Sequence, residues 1–143
     1  MIQRLSHEEV IHLRHKVLRA HQPVEEARYD VDTLEDTLHL GFFDSQELKG
    51  VITAFPENQP ELGEGGWRFR GMAVDKASQG KGMGSALLNQ TKSELKNAGA
   101  KYLWCNARIT ACGFYARLGF QTFGSEFDIP GIGAHFIMWC PIE

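Results

Sequence analysis

The segment Gln79-Gly80-Lys81-Gly82-Met83-Gly84 limits what this chain can fold into more than any other stretch. An apolar run, residues 69–74, leads into it, and an amphipathic run, residues 83–98, leads out. That order predicts a strand, a glycine loop and a helix. Glycine lets the backbone come close to a ligand and take positive φ. The first turn of the following helix carries amide N–H groups without partners inside the helix. With the helix dipole they suit a phosphate or pyrophosphate, and Lys81 adds a mobile positive charge beside them. An ordinary strand-to-helix turn would use the same glycines, so the loop alone leaves the ligand open.

Spacing excludes two common nucleotide loops. The P-loop needs Gly-x-x-x-x-Gly-Lys-Ser/Thr, and here Lys81 is followed by Gly82, so the magnesium-binding hydroxyl is missing. The dinucleotide loop needs Gly-x-Gly-x-x-Gly, and Gly84 comes one place early. The ribose-binding acid expected about twenty residues on is replaced by Tyr102-Leu103-Trp104-Cys105.

Gln79-x-x-Gly82-x-Gly84 resembles the Gln/Arg-x-x-Gly-x-Gly/Ala loop of the GNAT superfamily of acyl-CoA-dependent N-acetyltransferases. Downstream, Ala111-x-x-x-Tyr115-x-x-x-Gly119-Phe120 is similar to a second segment of that family, at the expected separation. The two motifs span the last half of the chain; the first half matches in its order of elements. The resemblance implies an α/β (mixed α+β) fold: a twisted mixed sheet with helices on both faces and a central parallel β-α-β unit carrying the acyl-CoA site. It implies acetyl-CoA as co-substrate and no metal. The coenzyme would lie along Met72, Ala73 and Val74 and over Gln79, Gly80, Lys81, Gly82, Met83, Gly84 and Ser85, with Asn106 and Arg108 at the exit of the next strand. Family members often carry Asn where this chain has Arg108; that side chain could instead meet a coenzyme phosphate or an acidic substrate group. Asn106-Ala107-Arg108 and residues 131–135 resemble the ElaA-like branch.

Composition is consistent with one small enzyme domain spanning residues 1–143. The apolar share of 43% is ordinary for a globular chain. A net charge of −3 without a basic run speaks against nucleic acid as a partner. No apolar stretch reaches membrane-spanning length, and the first residues lack the apolar core of a secretory signal. Three widely spaced cysteines do not form a disulfide framework; Cys105 and Cys140 read as buried thiols, which points to a reducing cytoplasm. Homodimerisation stays open.

In chain order, residues 2–5 predict a strand. Ser6 and Glu9 form a capping box before a helix over residues 7–18, with Val10, Ile11, Leu13, Val17 and Leu18 as its apolar stripe. His12 and His15 share that helix without a third metal ligand, so they read as solvated side chains. Residues 21–36 are polar and acidic. They predict a solvated loop and short helix, one or two of whose acids could face a cationic amine, with Tyr29 as an aromatic wall. Residues 37–43 and 48–55 predict a hairpin. Residues 56–66 predict a mobile loop near the substrate. Strands follow at 66–74, where Gly71 predicts a bulge, and at 102–107. A short helix over 111–118, a strand starting at 120–123 and a last strand over 134–140 complete the chain.

An amine attacks the thioester only when neutral, so the reaction needs a base, a donor to the developing oxyanion and an acid for the thiolate. The resemblance puts the Val74 N–H at the thioester oxygen and Tyr115 at the sulfur as general acid. Glu25, Glu26, His135 or a water chain remain candidates for the base; His135 has an ordinary pKa near neutrality, yet it also reads as a plain strand residue. The leading function is acetyl transfer from acetyl-CoA to a primary amine on a small molecule or peptide. The alternative is a catalytically weak acyl-CoA-binding module with the same fold.

Overall fold

The computed structural model describes every residue from Met1 to Glu143. It contains seven strands: β1 (Ile2–Arg4), β2 (Leu38–Asp44), β3 (Glu47–Pro56), β4 (Gly66–Val74), β5 (Tyr102–Arg108), β6 (Gln121–Ile129) and β7 (Gly133–Pro141). The three α-helices are α1 (Ile11–Leu18), α2 (Met83–Asn97) and α3 (Cys112–Arg117). The strands form one mixed sheet in the order β1-β2-β3-β4-β5-β7-β6. The chain divides into two compact units, residues 1–56 with 69–94, and residues 57–68 with 95–143.

In the first unit, β1 and β2 pair antiparallel, as do β2 and β3. The β2–β3 turn places Ser45 at φ 52° and Gln46 at φ 68°, the two left-handed positions that match a tight hairpin to strand twist. The core gathers Val10, Ile11 and Leu13 of α1 and its lead-in with Ala27, Val51 and Ala73. On β3, Gly50 faces the other way from Val51, because successive strand residues alternate. A side chain at Gly50 would meet Leu87 of α2 at 3.0 Å. Helices α1 and α2 therefore cover opposite faces of β3. The α2 stripe is Met83, Leu87, Leu88, Thr91 and Leu95, all buried; Ala98, the last residue of the amphipathic run, is exposed, and Ala100 is buried.

Helix α1 begins four residues later than the sequence predicts. The Ser6–Glu9 box forms, with the Ser6 N–H donating to Glu9 Oε1 at 2.8 Å and the Glu9 N–H donating to Ser6 Oγ at 3.3 Å. It closes a turn ahead of the helix rather than its first residue. His15 meets the Gln22 carbonyl through Nε2 at 2.8 Å.

In the second unit, the start of β4 pairs parallel with β5 as Gly66–Tyr102, Trp67–Leu103 and Arg68–Trp104. Strand β5 pairs antiparallel with β7 along its whole length, and β7 with the edge strand β6. Residues 56–66, expected to be mobile, are tied down. The Tyr102 hydroxyl accepts from the Gln59 N–H at 2.9 Å and donates to the Gly63 carbonyl at 2.6 Å. Trp104 Nε1 donates to the Glu57 carbonyl at 2.8 Å. Two aromatic residues of β5 thus fasten the loop that the sequence left free.

Candidate active site

Three features of the first unit converge on the end of β4. Gly71 adopts φ +64° in mid-strand, a region L-residues avoid. A Cβ there would lie 2.7 Å from Arg14 Nε, so glycine is required by both conformation and space. After Val74, Asp75 is anchored on both sides: its N–H donates to the Lys49 carbonyl at 2.8 Å, and its carboxylate accepts from Lys16 Nζ at 2.9 Å. That lysine hydrogen bond holds the Asp75 carboxyl below its usual range. A single 3-10 turn, Lys76–Ser78, then delivers Gln79. The Gln79 side chain donates to the Val74 carbonyl at 3.0 Å, closing the strand end against the loop.

The loop itself has the conformation an anion cradle needs. Gly80 lies at φ +81° and Gly82 at φ +84°, and a Cβ at either would meet nothing within 4 Å. The glycines are therefore required by backbone conformation, while the space beside them is open to a ligand. Gly84 is different: it lies inside α2. The Gly82 carbonyl accepts the first helical bond, from the Ala86 N–H at 3.0 Å. The amide groups just ahead have no carbonyl four residues back. Lys81 is exposed beside them. These residues fit a pyrophosphate: N–H donors, a positive helix end, a lysine and unfilled space.

One acid of the acidic stretch, Asp32, is spent on a buried contact, which the sequence did not reveal. Arg14, on the apolar stripe of α1, is 0% exposed. It donates to the Ala27 carbonyl at 2.7 Å, to both Asp32 oxygens at 2.7 and 3.1 Å, and to Thr53 Oγ1 at 2.7 Å. His39 Nε2 donates to the Asp32 carbonyl at 2.9 Å, which leaves Nδ1 to accept from the Thr53 hydroxyl at 2.8 Å. Glu25 pairs with Arg28 at 3.2 Å, and Glu26, Asp30, Glu35 and Asp36 are exposed. Tyr29 is half-buried, with the guanidinium carbons of Arg14 and Arg70 each 4.0 Å from its ring centre. The signal in the sequence was Arg14 itself: one charge at the spacing of Val10, Ile11, Val17 and Leu18 demands a buried partner.

The second unit carries the other predicted residues. Tyr115, on α3, has its ring 5.3 Å from Phe114 and 5.8 Å from Phe120, centre to centre. Burial, with Cys105 and Cys112 nearby, pushes its hydroxyl pKa well above the usual value. The short helix buries no side chain completely, and Phe114 is half-exposed. His135 on β7 is 4% exposed. Its Nδ1 donates to the Gly133 carbonyl at 2.7 Å, which leaves Nε2 as the acceptor of the neutral ring. Asn106 is half-buried on β5, and Arg108, opposite His135 in register, is exposed. Cys105 is buried, and burial pushes its thiol pKa far up, which makes it a poor nucleophile.

A strand ending at a glycine cradle on a helix N-terminus defines the class of sites that hold a phosphate-bearing ligand. The sequence profile of the GNAT acetyltransferase domain matches residues 2–138. The uncharacterized N-acetyltransferase YitI of Bacillus subtilis is 37% identical over 139 residues, covering 96% of this chain and 93% of that protein. The chain belongs to the GNAT family and is an acetyl-CoA-dependent N-acetyltransferase. An aminoglycoside 6'-N-acetyltransferase complexed with coenzyme A superposes with a TM-score of 0.81 at 15% identity, covering 100% of this chain and 97% of that one. Escherichia coli ElaA superposes with a TM-score of 0.78 at 19% identity, covering 98% of each chain. At such identities both likenesses speak for the fold alone.

Proposed function

We propose that residues 1–143 act as one catalytic domain in which the end of β4, residues 79–85 and the first turn of α2 bind acetyl-CoA, while Tyr115 and His135 handle protons during transfer to a primary amine. The observation that carries this reading is the open cradle at Gly80 and Gly82, where positive φ and empty space coincide at a helix N-terminus. Met72, Ala73 and Val74 line the acyl end, and the Val74 N–H stabilises the oxyanion. Asn106 and Arg108 complete the coenzyme contacts. The Tyr115 hydroxyl, whose pKa burial raises, is protonated at neutral pH as an ordinary tyrosine is, and it would give that proton up only as charge builds on the departing sulfur. His135 presents a lone pair at Nε2 and takes the amine proton. Glu25, paired with Arg28 and exposed, is a weaker candidate for the base. No metal is required for this chemistry.

No helix is long and apolar enough to cross a membrane. The cysteines are free thiols, and Cys105 and Cys140 are buried, which supports a reducing, cytoplasmic setting. The test is release of free thiol from acetyl-CoA across a panel of amines, with acetyl-CoA affinity measured by calorimetry. Binding together with amine-dependent thiol release is the expected result. Binding without release for any amine would favour the weak acyl-CoA-binding module instead.

A further inference from the structure

We propose that Lys16 is a positioning residue for acetyl transfer: through Asp75 it fixes the end of β4, where the acyl group reacts. The inference rests on the acetyltransferase reading above and deepens it. Lys16 Nζ donates to Asp75 Oδ1 at 2.9 Å. Asp75 follows Val74 directly, so the N–H assigned to the oxyanion lies one residue before the bridge. The Asp75 carboxylate also accepts from the Ala77 N–H, and the Asp75 carbonyl accepts from the Ser78 N–H at 2.8 Å. One residue therefore joins α1, the end of β4 and the turn that delivers Gln79.

Helix α1 meets the same strand at a second point. Arg14 Nε occupies the space a side chain on Gly71 would need, and Arg14 is itself locked by Ala27, Asp32 and Thr53. Met72, Ala73 and Val74 thus run between two attachments to one helix, at Gly71 and at Asp75. The two attachments differ in kind. Arg14 is buried, and its loss threatens the fold. The Lys16 side chain is 60% exposed, and an ion pair so open to water adds little to stability. Lys49 does not duplicate it: its Nζ lies 4.0 Å from Asp75 Oδ2 and is paired with Glu47 at 2.8 Å. The Asp75 N–H still holds the Lys49 carbonyl at 2.8 Å, so loss of Lys16 shifts the strand end without releasing it. A misplacement of about 1 Å costs on the order of 10²-fold in rate, and a smaller shift should cost about 10-fold.

The experiment measures single-turnover thiol release with the fastest amine of the panel above, beside acetyl-CoA affinity by calorimetry and melting temperature. Wild type is compared with Lys16→Met, Lys16→Arg, Asp75→Asn and the double variant Lys16→Met with Asp75→Asn. Asp75→Asn keeps an oxygen for the Ala77 N–H and removes the charge that holds Lys16. Lys16→Met and Asp75→Asn should each slow the chemical step by about 10-fold, and Lys16→Arg should recover most of that loss. The double variant should lose no more than the slower single variant, because both remove one bridge. Acetyl-CoA affinity should stay within about threefold, since the cradle is untouched, and melting temperature within about 4 °C. A Lys16→Met rate within twofold of wild type, losses that multiply in the double variant, or no recovery with Lys16→Arg would overturn the inference. So would a loss that falls on acetyl-CoA affinity alone, or a melting temperature lowered well beyond that range, which would assign the bridge to binding or to folding. In each of those cases wild-type acetylation persists and only the role of Lys16 fails. Absence of thiol release by wild type with every amine would instead overturn the catalytic reading, and the inference with it.

Discussion

Replacing Tyr115 with Phe removes one hydroxyl and keeps the ring that packs against Phe114 and Phe120. If Tyr115 protonates the leaving thiolate, turnover should fall by about 10²–10⁴-fold. Stability should shift by no more than about 1 kcal/mol, the worth of one hydrogen bond. Single-turnover kinetics check this, because product release can hide the chemical step; turnover within a few-fold of wild type would hand the acid role to water. Arg14 makes the opposite prediction. It touches no reacting atom by the reading above, yet its loss strands the Asp32 carboxylate in the core. Arg14→Met should cost about 3–5 kcal/mol, read by urea unfolding. Adding Asp32→Asn should recover part of that loss, since the uncompensated charge is then gone. Additive losses in the double variant would show that the ion pair is not the source of the cost.

The glycine loop acts as an element, and its residues divide by conformation. Gly82→Val places a β-branched residue at φ +84° and a side chain in the open space of the cradle. The strain, about 1–2 kcal/mol for a left-handed residue, leaves the fold intact. Acetyl-CoA binding by calorimetry should be lost while circular dichroism stays normal; retained affinity would remove the loop from the site. The same substitution at Gly84 meets no positive φ, because that residue is already helical, so any loss there reports ligand contact rather than backbone strain. The loop, β4 and α2 were legible in the sequence because their signals are local: β-branched and apolar runs, glycine spacing and a helical stripe. Strand β4 matches its expected bounds, Gly66–Val74. The edge strand β6 was not legible beyond its start. Its side chains are mostly exposed, so no alternation marks it, and a register irregularity between Phe123 and Phe127, with Gly124 at φ +75°, interrupts it. The anchoring of residues 56–66 was equally hidden, because Tyr102 and Trp104 reach them from more than thirty positions away. Tyr29 between two arginines is a contact of the same long-range kind.

At the scale of the whole molecule, pH should act on stability through His39. Burial, first among the causes, holds its pKa below the ordinary value of about 6.5. The hydrogen bond to the Asp32 carbonyl and the Asp32 charge work the other way, and the Arg14 charge adds to burial, so the net direction is downward. Arg14 donates to Thr53 Oγ1, Thr53 donates to His39 Nδ1, and His39 Nε2 donates to the Asp32 carbonyl. A proton on Nδ1 would face the Thr53 hydroxyl proton and add a second buried cation near Arg14. The folded chain therefore resists a proton that the unfolded chain accepts. Above about pH 6.5 both states hold His39 neutral and the full stability is present. As pH falls below that value the unfolded state gains the proton first, so stability is lost down to the depressed folded pKa. The carboxylates of Asp75, Glu8, Glu9 and Glu47, whose pKa values are also lowered by their partners, lose their contribution at lower pH than His39 does. Melting temperature should thus decline in two stages on acidification: one beginning near pH 6.5, and a second in the carboxylate range. His39→Gln keeps a side chain that can hydrogen-bond in place of the imidazole and removes the titration. Its melting temperature should stay level through the first stage and follow wild type through the second. Parallel curves for the two proteins from pH 7 to pH 5 would show that this network does not set the acid sensitivity of the fold.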